Sequence, residues 1–134
     1  MKIKFYFIAV IAMIFSFSNC ENDEDTISSI VQITVNDVSG NSISNETVYM
    51  FSQPTTETFG SNPIHAKQSS VTDESGIATF ELQEVIDLDP INSQSTLYFT
   101  VLEKTSSTNY SVKGTIGVTI KKGDNYKKTL TLNK

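Results

Sequence analysis

From residue 29 onward, apolar and polar side chains alternate with a period of two through most of the chain. Val31, Ile33 and Val35 alternate with Gln32, Thr34 and Asn36, the pattern of a strand with one buried face. Asp37-Val38-Ser39-Gly40-Asn41 carries turn chemistry, and Thr47-Val48-Tyr49-Met50-Phe51 is the next β-rich run. From Ser52 to Ser70 the chain is polar and holds Pro54, Gly60 and Pro63. It is expected to form a long loop, with at most a short irregular edge strand, because proline is tolerated at sheet edges and not in central strands.

The run Val71 to Leu82, VTDESGIATFEL, resumes the alternation. Asp73-Glu74-Ser75-Gly76 is expected to turn, the Asp carboxylate capping nearby N–H groups and Gly76 taking a positive φ. A strand follows in which Ile77, Thr79 and Glu81 alternate with Ala78, Phe80 and Leu82, and Phe80 or its neighbours are buried. A second loop runs from Gln83 to Ser95 around Asp87-Leu88-Asp89-Pro90. Thr96 to Glu103 places Leu97, Phe99 and Val101 on one face and Tyr98 and Leu102 on the other. The chain closes with an expected hairpin: Val112, Ile116, Val118 and Ile120 run up, Lys122-Gly123-Asp124-Asn125 turns, and Tyr126, Leu130 and Leu132 return. No stretch has a convincing helical pattern.

About seven short strands in one domain-sized stretch predict an all-β fold, a single antiparallel Ig-like sandwich. Two motifs refine this. Val35 to Asn45 (VNDVSGNSISN) before Val48-Tyr49-Met50-Phe51, with Thr72 to Phe80 (TDESGIATF) downstream, resembles the carboxypeptidase regulatory-like, transthyretin-like (prealbumin-like) family. The likeness covers most of residues 30 to 132 and implies a prealbumin-like sandwich. Its motifs specify turns, so they speak to fold and little to activity. The hydrolases of the transthyretin-like group rely on several histidines, arginine and a distinctive C-terminal tetrapeptide, which a chain with one His, no Arg and an end reading Leu132-Asn133-Lys134 does not match. Lys–Asn cross-links occur in some related surface sandwiches, with the lysine early in the fold. Here the first domain lysine is Lys67, in an expected loop.

The first 28 residues follow a different pattern. Lys2 and Lys4 precede an apolar run, Phe5 to Phe17, the n-region and h-region of a secretory signal. As a helix it would cover only about 20 Å of a ~30 Å hydrocarbon layer, too short for a permanent span. Cys20, the only cysteine, ends it. Phe17-Ser18-Asn19-Cys20 resembles a bacterial lipobox, departing from it at Phe17 and Asn19, and the resemblance implies that Cys20 is acylated and becomes the first mature residue. Glu21-Asn22-Asp23-Glu24-Asp25 resembles the acidic signal that sends some lipoproteins to the outer face of the outer membrane. The expected organisation is a signal peptide (1–19), a lipidated acidic tether (20–28) and a sandwich (29–134), the tether reaching about 15 to 18 Å as a coil and ~30 Å extended. Asp25-Thr26-Ile27 resembles an O-glycosylation site, which makes Thr26 a candidate.

With Cys20 used, disulfides are excluded and the core must supply the stability. From residue 20 onward the chain holds eight lysines, no arginine and 15 carboxylates, a net of −7, which argues against nucleic acid as a partner. The charge is uneven: residues 21 to 103 hold 14 acids and only Lys67, whereas residues 104 to 134 hold seven lysines and only Asp124. Lys121, Lys122, Lys127 and Lys128 flank the last turn, where a hairpin would bring all four to one end, with Tyr126 beside them. They are candidates for contact with an acidic glycan, lipid headgroup or protein surface, or a solvated edge that discourages strand pairing.

Candidate chemistry is sparse. His65 lies near Ser69, Ser70 and the Asp73-Glu74 pair, so a serine triad is conceivable, yet no G-x-S-x-G elbow accompanies it. One histidine cannot make a zinc site. Asp87 and Asp89, or Asp73 and Glu74, could offer calcium oxygens without the spacing of an EF-hand loop, and turn capping is the preferred role. No cofactor is expected. The chain reads as a non-enzymatic, exported, lipid-anchored envelope protein, expected at the outer membrane and on its surface, whose sandwich binds or supports another envelope component. The alternative is an accessory hydrolase or inhibitor, acting on peptides or glycans near His65.

Overall fold

The computed structural model describes residues 29–82 and 94–133. The leader, Cys20, the tether with Thr26, and the Asp87/Asp89 loop lie outside the described residues. Seven strands form two sheets packed face to face: β1 (Ser29–Asn36), β2 (Thr47–Ser52), β3 (Gln68–Val71), β4 (Ile77–Leu82), β5 (Gln94–Lys104), β6 (Tyr110–Lys121) and β7 (Asn125–Thr131). One sheet has the order β4-β1-β7, the other β3-β2-β5-β6, giving the Ig-like β-sandwich that the alternation implied.

Alternation explains the core. In β1, Val31, Ile33 and Val35 are fully buried between half-exposed neighbours, and in β4 Ala78, Phe80 and Leu82 are buried around the exposed Thr79 and Glu81. The other sheet contributes Val48 and Met50 from β2, Leu97, Phe99 and Val101 from β5, and Val118 and Ile120 from β6. Phe80 and Phe99 meet edge-to-face across the sandwich with ring centroids 5.0 Å apart. Every buried side-chain polar atom among the described residues is hydrogen-bonded.

Three expectations need correction. β7 is not the return strand of a hairpin: it leaves the sheet of β6 and pairs with β1 in the other sheet, in parallel, Ile30 opposite Asn125 through Asn36 opposite Thr131. All other strand pairs are antiparallel. The Lys122-Gly123-Asp124 turn therefore bridges the two sheets: it leaves β6 at the edge of one and delivers β7 to β1 in the other, where Leu130 enters the shared core.

Val112 is 51% exposed instead of buried. The β5–β6 register shifts between Val101 and Leu102, Val101 facing Gly114 and Leu102 facing Val112. The extra residue, Lys113, reverses the parity of β6, so Val112 joins Leu102 on the outer face.

Finally, the polar stretch after β2 holds a helix, α1 (Gln53–Phe59), and a 3₁₀ turn (Pro63–His65) before β3, the short edge strand that was expected. Pro54 sits in the first turn of α1, where no N–H is needed, and Gly60 closes it with φ of 68°. The helix packs against β2 and β5, and Phe51, on the face of β2 opposite Val48 and Met50, is fully buried. No helix among the described residues is long and apolar enough to cross a membrane.

Candidate functional site

The strand registers put two related turns side by side at one end of the sandwich. Asp37-Val38-Ser39-Gly40 follows β1, and Asp73-Glu74-Ser75-Gly76 precedes β4, its antiparallel neighbour. Their hydrogen bonding is the same. Asp37 Oδ1 accepts from the N–H groups of Ser39 (2.8 Å) and Asn41 (2.9 Å), and Asp73 Oδ1 accepts from those of Ser75 and Ile77 (both 2.9 Å). Gly40 and Gly76 take φ values of 86° and 75°. The buried Thr72 joins this end together: its hydroxyl donates to Ile43 O and accepts from Glu46 N–H.

One oxygen of each carboxylate is spent on backbone donors, Asp37 Oδ2 also accepts from Asn41 Nδ2 (3.1 Å), and no group of three or more metal-ligating side chains occurs among the described residues. Asp73→Ala should cost about 1–2 kcal/mol of stability, because two N–H groups lose their acceptor. Glu74, exposed and without a bonding partner among the described residues, should cost under about 0.5 kcal/mol when replaced by Ala. Thermal melts of both variants check this. The same melts with added Ca²⁺ should show no shift, and a clear rise in Tm would overturn the capping role.

His65 does not meet its triad partners. It is exposed in the 3₁₀ turn, where its ring stacks on Phe59 at 4.7 Å. No hydrogen bond links it to Ser69, Ser70, Asp73 or Glu74, and Asp73 and Glu74 belong to the turn beyond the far end of β3. The same short segment presents Phe59, 62% exposed, and Ile64, 79% exposed, beside edge strand β3. This apolar surface was not anticipated from the sequence. The signal for it was present: Ser52, Pro54 and Gly60 mark a helix start and stop, which would have placed Phe59 on a structured surface instead of a loop. Lys67, also exposed, lies just before β3.

At the opposite end, the hydroxyl of Ser29 donates to Lys121 O (3.1 Å) and accepts from Gly123 N–H (2.8 Å). The start of β1 is thus tied to the turn between the sheets. Tyr126 braces it, its hydroxyl accepting from Lys121 N–H (2.9 Å) and approaching Asp124 (3.4 Å). Lys121, Lys122, Lys127 and Lys128 are all exposed. No single hairpin gathers them: Lys121 ends β6 in one sheet, whereas Lys127 and Lys128 lie on β7 in the other. Lys127 and Lys128 stand opposite Gln32 and Ile33 of β1 and point to opposite sides of β7. Lys127 borders a shallow hollow of about 170 Å³ with Ile30, Gln32, Asn125 and Tyr126.

Fold and surfaces define a single two-sheet Ig-like sandwich with an apolar flank and a basic turn. No family model and no curated protein matches the chain. Solved structures similar to it include the Bacillus anthracis TIE protein, with a TM-score of 0.49, 18% identity, and coverage of 80% of this chain and 16% of that one. BcpA, the major pilin subunit of Bacillus cereus, is similar with a TM-score of 0.47, 15% identity, and coverage of 80% and 30%. The chain thus spans less than a third of either protein, and the likeness is one of fold.

Proposed function

We propose that this is a lipid-anchored envelope protein, carried on the outer membrane through Cys20, whose carboxypeptidase regulatory-like sandwich binds or supports another envelope component without catalysis. The observation that carries the binding role is the Phe59–Ile64–His65 surface. Two large apolar side chains are held in solvent on a segment ordered by a helix and an aromatic stack, and such a surface gains free energy when a partner covers it. The acidic residues after Cys20 favour display at the cell surface.

Cross-linking capture from intact envelopes tests the role. A partner recovered with the native protein should be lost with Phe59→Ser combined with Ile64→Ser, while far-UV circular dichroism stays unchanged because neither residue is in the core. Retention of the partner by that variant would rule out this surface. Mass spectrometry of the mature N-terminus tests the anchor separately: an unmodified Cys20, or a cut elsewhere, sinks it. A hydrolase or inhibitor centred on His65 is the competing role, and His65→Ala distinguishes the two by abolishing a measured hydrolysis while leaving the fold intact.

A further inference from the structure

Lys121 and Lys122 at the Ser29 end, with Lys127 and Lys128 on the adjoining half of β7, form a run of exposed lysines. The described ion pair is Lys113–Glu46 (3.4 Å), at the other end, and none of Lys121, Lys122, Lys127 and Lys128 has a carboxylate within ion-pair distance among the described residues. The one carboxylate in their turn, Asp124, faces the Tyr126 hydroxyl. Like charges gathered at one pole repel one another, and an acidic group brought there is attracted over about 8–10 Å at ordinary ionic strength.

The chain itself delivers such groups to that pole. Ser29 is hydrogen-bonded to Lys121 and Gly123, and Ile30 N–H donates to Asn125 Oδ1, so residues preceding Ser29 leave the sandwich beside the basic turn. Glu21, Asp23, Glu24 and Asp25 lie four to eight residues before Ser29. Four residues span about 13 Å when extended and about 11 Å as a coil, and eight span about 26 Å and 16 Å. Lys127 and Lys128 stand only two and three residues along β7 from Asn125, or about 7–10 Å. All four carboxylates are within reach of all four ammonium groups. A segment joined to the domain by so few residues is present at an effective concentration in the millimolar range, so pairs that are weak singly act together.

We propose that the acidic segment Glu21–Asp25 seats on the basic pole formed by Lys121, Lys122, Lys127 and Lys128. Seating draws Cys20 toward the turn, and directs the pole that carries the two Asp-Ser-Gly turns away from Cys20. The contact is electrostatic, so salt releases it and the distance between Cys20 and the sandwich grows.

Cys20 supplies the probe, because it is the only cysteine. The chain from Cys20 onward, made without residues 1–19, retains every described strand and takes a nitroxide label at that position. In amide NMR spectra at low salt, the label should broaden residues 121–128 strongly, with little effect on residues 37–41 at the other end. Broadening at 121–128 should fall at about 1 M salt, where screening shortens to ~3 Å. It should fall equally when all four lysines become Glu, and return when Glu21, Asp23, Glu24 and Asp25 are also made Lys. Chemical shifts elsewhere in the sandwich report that the variants remain folded. Broadening that is the same in the four-lysine variant and the native chain would overturn the proposal, as would failure of the double reversal to restore it. No lipid is present in this experiment, so its result and that of the N-terminal mass measurement are independent.

Discussion

Phe80→Ala and Phe99→Ala are each expected to lower the free energy of unfolding by about 3–5 kcal/mol. Both rings are fully buried, one from β4 and one from β5, and their edge-to-face contact spans the two sheets. Truncating either removes apolar contact and leaves a cavity that neighbours on rigid strands cannot close. A domain of this size has about 5–15 kcal/mol in total, and the lone cysteine provides no disulfide to compensate. Urea denaturation measures the loss. A double-mutant cycle should give a coupling of about 0.5–1.5 kcal/mol for the ring pair itself. A loss below about 1 kcal/mol in both single variants would mean that the two sheets are not joined through these rings.

Gly76→Val should cost about 2–4 kcal/mol, combining left-handed backbone strain with overpacking. Gly76 has φ of 75°, and an added Cβ would lie 2.8 Å from Ser42 Cβ, 3.1 Å from Ile43 N and 3.2 Å from Val35 O. Two of those atoms are backbone, and Val35 O also accepts from Ile43 N–H, so neither can retreat cheaply. Gly40 is an internal control. Its φ is 86° but nothing lies within 4 Å of the position a Cβ would take, so Gly40→Val should cost only the strain, about 1–2 kcal/mol. Equal losses at the two glycines would show that the packing of Gly76 on the Ser42–Ile43 strand contact is unimportant.

Local chemistry made these turns legible. An Asp followed three residues later by Gly, before an alternating run, implies a capped turn with positive φ, and Asp73 and Gly76 take those roles. The same locality explains why Val31, Ile33 and Val35, and later Leu97, Phe99 and Val101, were read as buried faces: on a strand the period of two follows from backbone geometry alone. The helix α1 was legible in principle through Ser52, Pro54 and Gly60. It was overlooked because α1 buries none of its own residues and so shows no apolar stripe of period 3.6.

The apolar flank follows from that helix. Phe59 and Ile64 are five residues apart and separated by glycine and proline, and the stack of Phe59 on His65 depends on both α1 and the 3₁₀ turn being in place. His65 illustrates the converse. Nearness in sequence to Ser69, Ser70 and Asp73 suggested a constellation, but β3 is an extended strand that carries the later residues away.

The sequence by itself determined the strands, their buried faces, the two Asp-Ser-Gly turns and the concentration of lysine after residue 103, because each depends on contacts or counts within a few residues. The tertiary structure alone decided which strands pair. A tight turn between two alternating runs is compatible with a hairpin in one sheet or an arch between two, and β7 pairs with β1 because the sandwich needs a third strand there to cover its core. That choice sets Lys127 and Lys128 beside β1, opposite Gln32 and Ile33, and brings Ser29 to the basic turn. The meeting of positions 92 and 94 residues apart is settled by sheet topology, which no local pattern encodes.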